Sequence, residues 1–217
     1  MTRPTHSAIL AALAMALITS SALAQTAPLV DAFASEAALA QLPGPGAAKL
    51  KVSTPAFRTG GDIPFENTQY RGNHFPGLSW SPGPKGTKAY VVVMQDTDVK
   101  RGGGPLVHWT MVNIPAGMTS LNARLTVPPP GASFGPNVRG PSQPYMGPRT
   151  PPGPKHHYHL QVFAVDGLVP AEALTTYDAL AASLKGHVLA GGEVVGLGRA
   201  DPTAPPPPAP TPAPAKP

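Results

Sequence analysis

The sequence predicts a mainly β fold, from its composition and from the length of its apolar runs. The chain of 217 residues contains 31 prolines and 23 glycines, together about a quarter of its length. Proline and glycine end helices, and only 12% of the residues are charged, so a long-helix or coiled-coil protein is excluded. The glycines show no triplet period, which excludes a collagen-like chain. The apolar runs are short and rich in valine and aromatic residues, which favours strands over disorder.

Short apolar runs bounded by glycine or proline are the predicted strands. They are Lys49–Val52, Ala56–Arg58, Leu78–Trp80, Ala89–Met94, Val107–Ile114, Tyr158–Val165 and Glu193–Leu197. One helix is predicted at Thr176–Leu184, where apolar residues recur at helical spacing after an N-cap at Thr175 or Thr176 and before Gly186. A second short helix is predicted at His187–Ala190. We therefore expect β-sheets with one or two short helices near the C-terminus.

The first 24 residues have the pattern of a signal peptide. Arg3 precedes the apolar run Ala8–Ile18, which is too short to span a bilayer. Ala22 and Ala24 fit the small-x-small cleavage rule, so we expect cleavage after Ala24 and no transmembrane segment in the periplasmic or secreted product. The alternative is an uncleaved membrane anchor, which the shortness of the run disfavours. The chain has no cysteine, which excludes a disulfide framework and a lipid-modified cysteine.

Two segments flank the predicted domain at residues 49–200. Residues 25–48 are rich in alanine, proline and glycine and are predicted to be a linker, with one short helix at Ser35–Gln41 and Ser35 as its N-cap. Residues 201–217 contain nine prolines and are predicted to be a disordered, extended tail. Such a tail is either a spacer or a docking segment for a proline-recognition module.

The charge pattern favours anionic small molecules over nucleic acids as ligands. The formal net charge is +5, but the lysines and arginines are scattered and form no polybasic stretch or basic helix. We therefore expect no nucleic-acid partner. A mildly basic surface can still attract small anions or lipid head groups.

Polar side chains occur where three of the predicted strands end or begin. Asp96 and Asp98 follow one buried strand, two residues apart, so strand periodicity predicts that they share a face. His108 begins the next strand, and His156 and Tyr158 share a face of a third. These side chains predict a small anion-binding pocket beneath the long loop Gly117–Lys155. The alternatives are that the two aspartates only form a turn and that His108 is a satisfied core histidine.

The sequence gives weak support to a metal site or to catalysis. His157 and His159 lie two residues apart on one strand face, which is a usual spacing for metal ligands, but no carboxylate stands nearby in the sequence. We therefore predict no metal and no cofactor. The chain has no nucleophile elbow, phosphate loop or HExxH motif. A hydrolase or lyase that uses His108 or His156 with Asp96 as an acid–base pair is the alternative to a non-catalytic protein.

Several separated motifs occur in one order over about 150 residues. They include Asn73-x2-Pro76-Gly77-Leu78-Ser79-Trp80, Pro84-Lys85-Gly86-Thr87-Lys88, Asp96-Thr97-Asp98, His108-Trp109-x3-Asn113-Ile114-Pro115-Ala116, Tyr145-x-Gly147-Pro148-x2-Pro151, His156-His157-Tyr158 and Gly186-His187-Val188-Leu189-Ala190. Together they resemble the phosphatidylethanolamine-binding protein family, in particular its bacterial Raf-kinase-inhibitor-like branch. The resemblance implies a large central β-sheet packed by a smaller sheet, with helices near the C-terminus. It also implies a small cavity at the sheet edge that accepts phosphate-bearing head groups and other small anions.

The resemblance further implies which residues bind the ligand, with Gly147, Pro148 and Pro151 as the lip of the cavity. The implied set is Asp96, Asp98, His108, Gly147, Pro148, Pro151, His156 and Tyr158. The chain departs from the family pattern where Thr97 and Thr150 replace prolines and Arg149 replaces a small residue. Arg149 either adds an anion donor at the mouth of the cavity or blocks it.

These observations predict an exported, non-catalytic binding protein. Its expected ligand is a small anion or phospholipid head group, and the expected role includes inhibition or modulation of a partner enzyme. We do not extend kinase inhibition from the resembled branch to this chain, because an exported protein meets few cytosolic kinases. We expect phosphate to bind more tightly below pH ~6.5, where free histidine begins to charge. Besides the hydrolase or lyase, a further alternative is an envelope-associated interaction module that docks through its proline-rich tail.

Overall fold

Two antiparallel β-sheets and a few short helices make up the protein. The computed structural model describes residues 29–45 and 48–204. The strands are β1 (Val52–Ser53), β2 (Leu78–Trp80), β3 (Ala89–Arg101), β4 (Gly104–Pro115), β5 (Ser120–Leu121), β6 (Ser133–Phe134), β7 (His156–Val165) and β8 (Val188–Gly198). The α-helices are α1 (Ala38–Gln41) and α2 (Tyr177–Leu184), and 3₁₀ turns span Ala34–Glu36, Phe65–Asn67 and Ala171–Leu174.

The larger sheet has the strand order β6-β4-β3-β7-β8, and the smaller has the order β1-β2-β5. Strand β3 lies at the centre of the larger sheet, and its side chains alternate between two hydrophobic cores. Tyr90, Val92 and Met94 face the core that includes Leu78 and Trp80 of the smaller sheet. Ala89, Val91 and Val93 belong to the other core, which α2 covers with Leu180 and Leu184. The predicted mainly β fold, with a large sheet packed by a smaller one, is confirmed.

The C-terminal helix forms as its sequence predicts. Helix α2 begins at Tyr177, and the side chain of Thr176 caps it by accepting a hydrogen bond from the backbone N–H of Ala179. The predicted second helix at His187–Ala190 is wrong, because Val188 begins β8 and pairs with β7. Since β8 alternates between buried and half-buried residues along its whole length, packing against the sheet decides its conformation.

The long strands extend beyond their apolar runs. Strands β3 and β4 continue into polar residues and join in a hairpin at Gly102 and Gly103, which both have positive φ angles. The predicted entry strand at Lys49–Val52 and Ala56–Arg58 is reduced to the two residues of β1. Strand β2 matches its predicted bounds.

The segment 29–45 packs against the larger sheet, although it lies in the region predicted to be a linker. The backbone N–H groups of Ala38 and Leu39 donate to the side-chain oxygens of Gln95 and Gln161, which are both buried. Ala38 is buried too, and its small side chain allows this close approach. The predicted single helix at Ser35–Gln41 is wrong, since extended backbone at Ala37 separates a 3₁₀ turn from α1, and no side chain caps either.

The two ends of the chain extend beyond the described residues. The predicted signal peptide and residues 205–217 of the predicted tail fall outside them. Asp201, the first residue of that predicted tail, is buried, and its carboxylate accepts a hydrogen bond from Nε of Arg71 at 2.7 Å. Among the residues that the structure describes, no helix has the length and apolar character needed to cross a bilayer.

Candidate functional site

The polar ends of β3, β4 and β7 meet at one edge of the larger sheet. There they line a cavity of about 500 Å³. Asp96 of β3 lies opposite Tyr158 of β7, and His108 and His156 line the same space. The β3–β4 hairpin and strand β7, which is distant from it in the sequence, therefore bring the predicted acid, histidines and tyrosine together.

Asp96 and His156 form a hydrogen-bonded pair at the base of the cavity. Asp96 is almost fully buried, and its Oδ2 lies 2.9 Å from Nδ1 of His156. Its Oδ1 accepts a hydrogen bond from the backbone N–H of Asp98 at 3.0 Å. Because a carboxylate only accepts, Nδ1 of His156 is the donor, and Nε2 is the ring nitrogen available to a ligand.

His108 is held in a defined tautomer. The residue is 3% exposed, and Nδ1 of its ring donates to the carbonyl oxygen of Met146 at 3.1 Å. Burial lowers the pKa of His108, so its imidazole is neutral at neutral pH. A neutral imidazole with hydrogen on Nδ1 has a lone pair on Nε2, and this buried atom has no hydrogen-bond partner among the described residues. His108, which lines the cavity, therefore carries an unsatisfied acceptor.

Tyr158 supplies a hydroxyl group to the same cavity. Its ring is buried edge-on against His108, with ring centres 5.1 Å apart, and its hydroxyl lies 3.0 Å from Oγ1 of Thr150. Burial raises the pKa of Tyr158, so the phenol keeps its proton and can donate it in a hydrogen bond. Thr150 thus positions the tyrosine.

Three arginines surround the cavity and make its electrostatics positive. Arg101, Arg139 and Arg149 all line it, whereas Asp96 is the only acidic residue in its lining. Within the described ranges, none of the three arginines forms an ion pair with a carboxylate. Arg149 lies with its guanidinium 5.1 Å from the ring centre of Tyr70. With three arginines and one carboxylate, the charged residues of the lining are mostly positive, which favours an anion.

Five of the eight predicted ligand residues line the cavity, and three do not. Those that line it are Asp96, His108, Pro151, His156 and Tyr158. Asp98 points away, and its Oδ2 accepts from the backbone N–H and Nδ1 of His157. The reason is an irregularity in the β3–β4 pairing between Asp96 and Lys100, because a bulge breaks the alternation that would place both aspartates on one face.

Gly147 and Pro148 support the lip of the cavity through their backbones. Both carbonyl oxygens accept hydrogen bonds from Gln69, one from its side chain and one from its backbone N–H. A Cβ atom at Gly147 would lie 2.3 Å from the carbonyl oxygen of Asn67, so glycine is needed for this close packing. These two residues shape the site without lining it.

Sequence reasoning missed the contributions of Gln69, Arg101 and Arg139 to the cavity. Gln69 also accepts a hydrogen bond from Arg139 at 3.0 Å, which ties two loops together across the mouth. No local sequence pattern identifies these residues as part of the site. Each belongs to a loop or strand end whose position depends on packing against residues distant in the sequence.

Comparisons with known proteins support one family. The family model described as phosphatidylethanolamine-binding protein matches residues 53–199. The UPF0098 protein YbcL of Escherichia coli is 41% identical over 100 residues, which are 43% of this chain and 54% of that protein. A Mycobacterium tuberculosis protein whose name calls it a lipoprotein, LppC, is 34% identical over 125 residues, which are 57% of this chain and 59% of LppC.

Two crystal structures resemble the fold over most of the described domain. YbcL, called a new member of the mammalian PEBP family, has a TM-score of 0.64 at 28% identity and covers 71% of this chain and 100% of its own. CT736 of Chlamydia trachomatis, called a phosphatidylethanolamine-binding protein homologue, has a TM-score of 0.62 at 26% identity, with the same coverage. Because the family model spans more than half of the sequence, the chain belongs to the phosphatidylethanolamine-binding protein family.

Proposed function

We propose that this protein is an exported, non-catalytic binding protein whose cavity takes a small phosphate-bearing anion. The observation that supports this most directly is the buried, unpartnered Nε2 of His108 in a cavity with three arginines. An unsatisfied buried polar atom costs about 1–3 kcal/mol, so a ligand that satisfies it gains that much in binding. The cavity volume of about 500 Å³ is within the range of small-molecule sites.

The chemistry of the cavity specifies the protonation state of the ligand. Because Nε2 of His108 is an acceptor, the ligand must present a hydrogen there, whereas Tyr158 donates to an anionic oxygen. A singly protonated phosphate monoester meets both requirements, and so does a phosphate group joined to an ammonium group. The family description, phosphatidylethanolamine-binding protein, names a lipid with that second head group.

The expected pH dependence of phosphate binding comes from the ligand and not from His108. The pKa of His108 is lowered by burial, so His108 does not become charged near pH 6.5. We still expect tighter binding at lower pH, because the ligand itself takes up the proton, with a phosphomonoester pKa of about 6.

Calorimetric titration with inorganic phosphate, phosphoethanolamine and sulfate tests the proposed ligand. We expect the two phosphates to bind more tightly than sulfate, which has no proton to donate to His108. His108→Asn keeps a donor toward Met146 and removes Nε2, so we expect it to weaken phosphate binding by about ten- to hundredfold. Equal affinities for sulfate and phosphate would contradict the protonated ligand. Unchanged phosphate affinity in His108→Asn would contradict the site.

A second set of measurements distinguishes a free phosphomonoester from a lipid head group. Vesicles of phosphatidylcholine with and without phosphatidylethanolamine provide the lipid arm, with co-sedimentation as the readout. Binding only to the vesicles that contain phosphatidylethanolamine supports the lipid head group. Calorimetric binding of phosphoethanolamine without vesicle binding supports the free compound.

The geometry gives little support to the alternative of a hydrolase. In the described part of the chain, the only side chain hydrogen-bonded to His156 is that of Asp96, so no serine or threonine hydroxyl is activated by it. Assays of phosphoester turnover test this directly. Turnover by the wild type that is lost in His156→Asn would favour the hydrolase.

Export is proposed from the signal-like pattern of residues 1–24 and from the lipoprotein name of the relative LppC. The mass of the protein recovered from the periplasm or medium tests it. We expect a chain that begins at Gln25. An intact N-terminus on a membrane-bound product would contradict the proposal.

A further inference from the structure

We propose that the face of β7 opposite the cavity holds a divalent transition-metal site formed by Asp31, Asp98 and His157. One ligand atom from each residue lies within 4.8 Å of the other two. The three come from different parts of the chain: the segment 29–45, the bulged end of β3 and the start of β7. The fold therefore assembles a ligand set that is not continuous in sequence.

The three side chains are shielded without being closed off. The side chain of Asp31 is 24% exposed, that of Asp98 is 14% exposed and that of His157 is 13% exposed. Partial burial strengthens the attraction between carboxylates and a cation relative to a fully solvated surface. The remaining exposure gives an ion a path to the ligands.

The donor types favour zinc or a similar first-row cation. Two carboxylates and one imidazole match the oxygen and nitrogen ligands of zinc, with bond lengths of about 2.0–2.2 Å. Tetrahedral geometry at those lengths separates the ligand atoms by about 3.4 Å, and the three atoms here lie within 4.8 Å of one another, so small side-chain movements bring them to an ion. A water molecule completes the set of four ligands, as in zinc sites with three protein ligands.

A second layer of hydrogen bonds orients the proposed ligands. Asp31 accepts from the hydroxyl of Thr97 and lies 2.8 Å from Nε2 of His159. The other ring nitrogen of His159 lies 2.8 Å from Glu193. Carboxylate ligands of metals are typically held by such outer contacts, which fix their orientation before the ion arrives.

The local charge also favours a cation. Asp31, Asp98 and Glu193 are three carboxylates that contact His157 or His159. Over residues 29–45 and 48–204, no lysine or arginine forms an ion pair with any of them. Two histidines, even when both are charged, do not offset three carboxylates, so these five side chains carry a net negative charge.

The structure supplies the partner that the sequence pattern lacked. His157 and His159 have the spacing of metal ligands, but their carboxylates come from positions far away in the chain. The family match covers residues 53–199, so Asp31 lies outside it. The proposed site therefore depends on a residue beyond the matched family domain.

Zinc titration of the full chain, purified without a histidine tag and in phosphate-free buffer, tests the proposal. We expect one zinc ion per chain by calorimetry, and visible absorption of bound cobalt as a second readout. Asp31→Asn and His157→Asn are each expected to weaken zinc binding by at least tenfold. The matched control is His187→Asn, because His187 also pairs with an aspartate at 2.8 Å, but its side chain is 60% exposed. We expect His187→Asn to bind zinc like the wild type.

Absence of zinc binding up to about 1 mM would overturn the proposal. Equal affinity in the wild type, Asp31→Asn and His157→Asn would overturn it too, and so would a loss in His187→Asn alone. Thermal melting without zinc checks that each variant folds. Should His157→Asn fail to fold, Asp31→Asn decides, since Asp31 lies outside both sheets. Phosphate binding measured on Asp31→Asn is expected to be unchanged, which separates this site from the proposed anion cavity.

Discussion

The two faces of β7 present the same pair of side chains to different surroundings. On one face, Nδ1 of His156 lies 2.9 Å from Asp96, and on the other Nδ1 of His157 lies 2.9 Å from Asp98. The first pair lines a cavity with three arginines and no second carboxylate. The second pair lies beside Asp31 and has no arginine in its cluster.

In the two proposed sites, the aspartate–histidine pair does not by itself determine the ligand. The pair fixes the tautomer of the histidine, whereas the neighbouring charges determine the sign of the ligand. The bulge between Asp96 and Lys100 separates the two pairs, since regular alternation would have placed both aspartates in one pocket.

The largest expected effect is on the free energy of unfolding, when each of the two aspartates is replaced in turn. Asp96→Ala leaves the ring of His156 and the backbone N–H of Asp98 without their acceptor, in a site where the aspartate side chain is 3% exposed. We expect a loss of about 3 kcal/mol in the free energy of unfolding. Asp98→Ala removes a carboxylate that is 14% exposed, and water replaces part of its contacts, so we expect about 1–2 kcal/mol.

Urea denaturation in the presence of a chelator measures both losses without any contribution from bound metal. A loss for Asp98→Ala equal to or larger than that for Asp96→Ala would contradict the expected difference in stability between the two pairs. Asp96→Asn, which keeps an acceptor oxygen, is the intermediate control and is expected to lose less than Asp96→Ala.

Variants of the arginines test whether the charge around the cavity determines the sign of the ligand's charge. We expect the double variant Arg139→Ala/Arg149→Ala to bind phosphate about tenfold more weakly than the wild type and with a smaller dependence on salt. Zinc binding should not change, because neither arginine lies on the other face of β7. Arg58→Ala, an exposed arginine outside the cavity, is the control for a general change in net charge. An equal loss in Arg58→Ala would show that net charge, rather than the cavity, attracts the anion.

His108 provides a pH test of the cavity face. Its pKa is lowered by burial, so the unfolded chain takes up this proton before the folded protein does as the pH falls through about 6.5. The folded protein therefore keeps its full stability with respect to this ring above pH 6.5. Below pH 6.5 the free energy of unfolding falls, by at most about 1.4 kcal/mol per pH unit.

His108→Asn does not titrate, so we expect the stability of the wild type to fall relative to this variant as the pH is lowered. Denaturation curves at several pH values measure the difference. His187→Asn, which removes a mostly exposed histidine, is the control. Parallel curves for the wild type and His108→Asn would contradict a neutral, buried His108.

The parts of the fold that were predicted correctly depend on local patterns. The run of valines in β3 and the threonine cap of α2 are both local signals, and each element forms where it was expected. The convergence of Asp96, His108 and Tyr158 also followed from strand ends and from the family resemblance. These features need no knowledge of the rest of the structure.

The parts that were missed depend on contacts between distant residues. The bulge that turns Asp98 away arises from the pairing of β3 with β4, which the sequence of β3 alone does not reveal. The segment around Ala38 has no apolar period strong enough to predict packing, and its hydrogen bonds reach Gln95 and Gln161 across the sheet. Asp31 enters its cluster through the same docking, so no local pattern near His157 could have identified it.

The smallest expected effect is at Thr97, which lies in the bulge between the two aspartates. Thr97 is fully buried, and its hydroxyl donates to Asp31. We expect Thr97→Val, which keeps the shape, to lower the free energy of unfolding by about 1 kcal/mol. Zinc affinity should fall a few-fold, because Asp31 loses one orienting contact, while phosphate affinity stays constant. Calorimetry with both ligands measures the contrast. A parallel fall in phosphate affinity would show that the bulge couples the two faces of β7 rather than separating them.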